Sequence, residues 1–307
     1  MGQVSFEQFQ DLMTTPVVDD QLMKRIRELE EASEGAADLQ ISKLINGLHF
    51  ADVGTWATYM GKELIKGDPW DAHDQYEALK DKLNNDFILV ELNWAGDPNR
   101  PVTHVPDRNV WWNFHGNSFL DDDITWDTRI AWKERSWENR RSGVCLLSEL
   151  THDTPLEGSW LTDLWKCMAT KGKVALNAEL RGLGRSVRYQ LLDIMAAILR
   201  REAETLGAVH PIWLLGGYNP DRNEEHRLLA QALVGSETDR VICLPHHSGM
   251  NWGTDTRRRF SRRRWNQKSL TAMLNEIGEE RRRLGLHWDV DAKKKAAAAL
   301  PVKAQAQ

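Results

Sequence analysis

Cysteine is scarce: Cys145, Cys167 and Cys243 are the only three in 307 residues, far apart and odd in number. On their own they can build neither a disulfide framework nor a four-cysteine metal cluster, so a reducing, cytoplasmic setting is expected. Long apolar runs are missing as well. None reaches the ~18 residues that a membrane span needs, and the opening MGQVSFEQFQDL lacks the basic-then-apolar order of a signal peptide. A membrane or secreted protein is therefore not expected. Nucleotide-binding fingerprints are also lacking, since Gly-Leu-Gly at 182–184 precedes a helical pattern but follows no strand. Tyrosine is rare too, with 4 against 14 tryptophans.

The remainder is ordinary globular material. Charged residues make up 28% and hydrophobic residues 41%, which argues against wholesale disorder. The length suits one large domain or a domain with an extension. The net charge of −5 conceals an asymmetry: residues 1–170 carry −14 and residues 171–307 carry +9. A nucleic-acid partner is thus compatible with an acidic chain.

Along the chain, Leu22, Ile26 and Leu29 recur at helical spacing, as do Ile41, Leu44, Ile45 and Leu48. A further helix is predicted from about Ala72 to Leu83, and residues 1–85 read as an acidic helical extension. Short apolar runs then follow at Phe87–Val90, Trp160–Trp165, Ile212–Gly217 and Val241–His246. Each is a candidate buried strand running into a polar or Gly/Pro loop. Between the later runs, Val187, Leu191, Ile194, Met195, Ile198 and Leu199 share one face of a long helix ending at Gly207, and Glu224 to Val234 forms another. Strands alternating with helices predict an α/β fold: a three-layer α/β/α arrangement around a mostly parallel four-stranded sheet, with an N-terminal helical extension. Ligands of such sheets sit at the carboxyl ends of the strands, so chemistry is expected after Leu92, Trp165, Gly217 and Cys243.

Two histidines, His246 and His247, follow the last strand. As metal ligands with Cys243 they would lack a Cys-x-x-Cys or His-x-x-x-His partner, so no metal is expected. They can cap a loop, or donate a hydrogen bond to a developing anion. Downstream, Thr256–Asn266 packs six arginines and two aromatics into eleven residues without one acid. Such a stretch can be a solvated face, but phosphate contact accounts for it better. A helix is expected at about Leu270–Leu284 and a disordered tail at 289–307.

The order of these elements resembles the uracil-DNA glycosylase superfamily over about residues 86–265. His246-His247-Ser248-Gly249-Met250-Asn251 is similar to that family's His-Pro-Ser-Pro-Leu-Ser loop. Trp160-Leu161-Thr162-Asp163-Leu164-Trp165-Lys166-Cys167 resembles its Phe-Ile-Thr-Asn-Val-Val-Lys-Cys strand. Glu91-Leu92-Asn93-Trp94-Ala95-Gly96 resembles its first motif, and Gly116-Asn117-Ser118-Phe119 falls where the family carries its base-stacking phenylalanine. The resemblance implies a catalytic domain over 86–288 that flips a nucleotide out of DNA and hydrolyses its N-glycosidic bond without a cofactor. It implies that His246 stabilises the departing base through O2, and that Asn93 or Asp97 positions the attacking water. Phe119, Trp94 and Asn117 would hold the base. Ser248, Met250 and Asn251 would meet the DNA, Met250 as an apolar wedge, with Arg257, Arg258, Arg259, Arg262, Arg263 and Arg264 on phosphates. Trp111, Trp112 and Trp252 are further stacking candidates in the pocket loops.

Two departures from the family pattern carry the substrate expectation. Asp163 stands where most members have a specificity asparagine. A carboxylate repels the O4 of uracil but accepts from the N4 amino group of cytosine; protonated in a dry pocket, it could also donate to N3. Asp163 can alternatively be a helix N-cap. Ala95 stands where the uracil-specific branch has a tyrosine that blocks C5, so the space beside C5 would be open. Together they point to a cytosine bulky at C5, such as the hydroxymethylated or glucosylated cytosine of phage DNA, and to a role in defence. The alternatives are a repair glycosylase for uracil or another deaminated base, and a catalytically inactive DNA-binding module of the same fold.

Overall fold

The computed structural model describes residues 4–57, 71–93, 156–166, 173–216, 224–237 and 240–244. The expected helix at 270–284 and the tail at 289–307 lie outside them.

Helix α1 (Phe6–Thr14) begins with a reciprocal cap: the Ser5 hydroxyl accepts from Gln8 N at 3.2 Å, and Gln8 Oε1 accepts from Ser5 N at 2.8 Å. This satisfies donors that a first helical turn leaves unpaired. In α2 (Asp20–Ala32), Asp19 accepts from Leu22 N at 2.8 Å, and Leu22, Ile26 and Leu29 are buried as their spacing predicts. Short helices α3 (Glu34–Leu39), α4 (Ile41–Ile45) and α5 (Phe50–Val53) lead into strand β1 (Gly54–Trp56). Helix α6 (Ala72–Leu79) starts under Asp71 and stops before the predicted Leu83, which is nonetheless buried.

The remaining described elements are β2 (Phe87–Asn93), β3 (Trp160–Trp165), α7 (Lys173–Gly182), α8 (Arg185–Thr205), β4 (Ile212–Gly216), α9 (Glu224–Val234) and β5 (Val241–Leu244). Gly207, at φ 66°, ends α8. Its N–H bonds Glu204 O while Ala208 N–H bonds Ala203 O, both at 2.9 Å. That pairing needs a left-handed residue, which glycine adopts without the penalty of a Cβ.

Among the described residues the sheet has five strands rather than the expected four, in the order β1-β3-β2-β4-β5. Strands β3, β2, β4 and β5 run parallel to one another. β1 is the addition, antiparallel on the outer edge of β3 with Gly54 opposite Thr162 and Trp56 opposite Trp160. It comes from the region read as helical. Three residues are too few to show the two-residue alternation by which a strand is recognised.

Residues 4–57 also share the main core. Phe9, Leu12, Ile26 and Phe50 belong to one buried cluster with Ile88, Val90, Trp160, Trp213, Leu215 and the α8 residues Leu191, Met195 and Ile198. Phe9 stacks on Trp56 at 6.3 Å, and Trp56 meets Trp160 edge-on at 5.0 Å. Arg25 pairs with Asp193 at 2.6 Å and Arg201 with Asp19 at 3.2 Å, joining α2 to α8. At the other end of α8, Arg185 and the Tyr189 hydroxyl both reach Glu224 of α9. The Tyr189 hydrogen bond first, and then the Arg185 charge, hold the Glu224 carboxyl below its ordinary range. On the sheet's other face, Phe87, Leu89, Leu161 and Leu214 are buried as well.

Candidate active site at the strand ends

Strand order indicates where a ligand-binding crevice is expected. From β2 the chain moves to β3 on one side, then returns past β2 to β4 and on to β5. Connections leaving β2 and β4 thus run in opposite directions, and open α/β sheets bind ligands outside the carboxyl ends of strands at such a reversal.

Three residues meet near that point. Asp163 of β3 is 2% exposed and Glu91 of β2 is 7% exposed. They are direct register partners, so their side chains leave the same face of the parallel pair. The third is Gly216, the last residue of β4. A Cβ at this position would overlap both carboxyl oxygens of Glu91, lying 2.6 Å from Oε1. Glycine at 216 therefore makes room for the Glu91 carboxyl over the β4 backbone. Carboxylates are seldom buried unless something compensates their lost hydration. Two on adjacent strands mark this end of the sheet chemically.

The opposite face of β3 carries a different polar group. Lys166, 2% exposed, turns back beneath the strand end; its ammonium donates to the Thr162 hydroxyl and to Glu202 Oε2, the latter at 2.6 Å. The Trp160 indole N–H donates to Glu202 Oε1 at 2.6 Å, and the Thr162 hydroxyl donates to Val53 O at 3.2 Å. Both ion-pair side chains are wholly excluded from solvent.

Of the residues expected at the site, Asp163 is the one whose side chain is described. It lies buried in the carboxyl-terminal half of parallel strand β3, two residues before Trp165. Asn93 is the last residue of β2, paired in register with Trp165, and its side chain lies outside the described residues. So do Trp94, Ala95, Asp97, Trp111, Trp112, Asn117, Phe119, His246, Ser248, Met250, Asn251, Trp252 and the arginines Arg257, Arg258, Arg259, Arg262, Arg263 and Arg264. Sequence reasoning passed over Glu91, Gly216, Lys166 and Glu202. The signals were a carboxylate interrupting the apolar run of β2, and a glutamate on the apolar stripe Leu191-Met195-Ile198 of α8, four residues beyond Ile198.

Among the described residues, Asp71, His73 and Asp74 come together closely enough to hold a metal. Asp71 there already accepts from the backbone N–H groups of His73 and Asp74 as the cap of α6. A groove of about 690 Å³ lined by Pro16, Val18, Met23, Arg27 and Leu48 contains none of the strand-end residues. No described helix is long and apolar enough to cross a membrane. In comparisons with known proteins, no family model, no curated protein and no solved structure matches this chain.

The fit of Gly216 to Glu91 is testable. Gly216→Ala should cost about 1–3 kcal/mol in urea unfolding, the usual range for overpacking. The same change on a Glu91→Ala background should cost almost nothing, because the colliding carboxyl is gone. Equal costs on both backgrounds would contradict the close approach.

Proposed function

We propose that this chain is a monofunctional DNA glycosylase acting in the cytoplasm on a cytosine with a bulky C5 substituent, hydroxymethylated or glucosylated, leaving abasic sites in phage DNA. The observation that carries the reading is the buried carboxylate of Asp163 in the carboxyl-terminal half of β3, two residues before Trp165, where the resemblance expects the base-reading residue. A carboxylate accepts from the N4 amino group of cytosine and repels the O4 of uracil. The second carboxylate, Glu91, adds to that preference for a donor-bearing base edge. Burial of Phe87, Leu89, Leu161 and Leu214 on the face away from α8 supports the three-layer arrangement that such an enzyme requires.

In the proposed reaction the flipped nucleotide enters the strand-end crevice. The C1′–N1 bond breaks with its electron pair passing to the base, and His246 donates a hydrogen bond to O2 as that oxygen gains charge. Water held by Asn93 or Asp97 adds to C1′ and gives up its proton, which the released base takes up overall. Arg257, Arg258, Arg259, Arg262, Arg263 and Arg264 bind phosphates.

The test is mass spectrometry of bases released from DNA containing plain, hydroxymethylated and glucosylated cytosine. Release of the modified bases alone is the expected result; release from none of the three refutes the proposal. Asp163→Asn should lower release of modified cytosine and raise release of uracil, since an amide both donates to O4 and accepts from N3–H. A wild-type chain that already prefers uracil would favour the repair glycosylase instead. Changing three of the six arginines to serine should weaken DNA binding for every sequence and flatten its dependence on salt, because fewer counterions are released. An unchanged salt slope would remove those arginines from the interface.

A further inference from the structure

Resting on the glycosylase reading above, we propose that Lys166 and Glu202 are positioning residues, an ion pair that pins the carboxyl end of β3 so that Asp163 faces the crevice. Thr162 and Asp163 are consecutive in β3, so their side chains leave opposite faces of the sheet. The face of Thr162 is held three ways: Lys166 Nζ donates to its hydroxyl, that hydroxyl donates to Val53 O at 3.2 Å, and Lys166 is tied to Glu202 Oε2 of α8 at 2.6 Å. Trp160 adds a second bond from β3 to the same carboxylate. A one-residue slip of a strand exchanges its two faces, and here it would carry Asp163 into the apolar core and Thr162 to the crevice.

Stability alone does not account for the pair. Taking a carboxylate and an ammonium out of water offsets most or all of their mutual attraction, and apolar residues of similar size commonly hold such a site as well or better. What apolar residues cannot supply is direction. Lys166 stands three residues beyond Asp163, and its bonds fix both where the strand ends and which way the chain turns. This pair therefore serves the strand's register, and through it the placement of the base-reading carboxylate.

The experiment compares the full-length wild type with the double variant Lys166→Met/Glu202→Leu, which removes both charges together and so avoids stranding either one. The double variant should melt within a few degrees of wild type. Amide hydrogen exchange at Asp163, Leu164 and Trp165 should be at least about tenfold faster, as expected of a locally loosened segment, with Leu89 and Leu214 unchanged. On hydroxymethylated-cytosine DNA, kcat should fall between about tenfold and 100-fold, the usual cost of small misplacement, with KM unchanged. Wild-type exchange rates, an undiminished kcat, or a large loss of melting temperature would each overturn the positioning role. A wild type that releases no base, alongside faster exchange in the variant, would refute the glycosylase reading while upholding the pinning of β3.

Discussion

Lys166→Met alone is expected to destabilise the protein by about 3–5 kcal/mol, the cost of breaking a buried ion pair by removing one partner. The substitution preserves most of the side chain's volume, so cavity formation contributes little. The main effect is electrostatic. Glu202 sits within the apolar stripe of α8 with its carboxylate wholly excluded from solvent, and of the donors described above only the Trp160 indole N–H would remain. One hydrogen bond to a charged group contributes about 1.5–3 kcal/mol net, too little to offset a stranded buried charge. Against a total stability of about 5–15 kcal/mol, the loss is a large share. Urea unfolding should show a lowered midpoint with an unchanged slope, and adding Glu202→Leu should restore most of the midpoint. A Lys166→Met chain that unfolds at the wild-type midpoint would rule out a charged, tightly coupled pair.

His246→Ala is expected to lower base release by about 10²–10³-fold in kcat, the usual cost of deleting one donor to a developing oxyanion. Charge accumulates on the departing base only as the glycosidic bond breaks, so the histidine contributes more to the transition state than to binding. Affinity for DNA should consequently stay near wild type, because the proposal places binding on phosphate contacts made elsewhere. Single-turnover measurement of base release, paired with a binding titration on the same oligonucleotide, separates the two effects. Equal losses in both would reassign His246 to binding. A wild type that binds DNA but releases nothing would favour the inactive-module reading.

Local pattern served well where an element announces itself over several turns or residues. The stripe Leu191-Ile194-Met195-Ile198 predicted α8, the span Glu224–Val234 matches α9 residue for residue, and the run Trp160–Trp165 matches β3. These succeed because 3.6-residue and two-residue periodicities are properties of neighbouring positions. Strand β1 failed the same approach, being three residues long. The sequence reads residues 1–85 as an extension, because acidic surface helices such as those within residues 4–57 look alike whether or not their apolar stripes meet another core. Their packing against β3 and α8 depends on partners more than a hundred residues away, such as Arg25 with Asp193.

The candidate site divides along the same line. Asp163 is legible only through the resemblance, standing where most members of that family have a specificity asparagine. Glu91 interrupts the apolar run of β2, yet its meaning comes from Asp163 lying opposite it in register and from the missing Cβ at Gly216. Those are facts of strand order. Lys166 and Glu202 are 36 positions apart, and nothing in their spacing pairs them.

By itself, then, the sequence determined the kinds of the longer elements and the separation of acidic from basic halves, and it set the polar loops after the strands as the place where chemistry is expected. Each of these follows from neighbouring residue types. Tertiary structure alone decided which strands are neighbours, the antiparallel fifth strand, the meeting of Glu91, Asp163 and Gly216, and the closure of Lys166 on Glu202. Packing chooses among the pairings that periodicity allows. It favours the arrangement in which apolar faces are buried together and each buried charge has its partner.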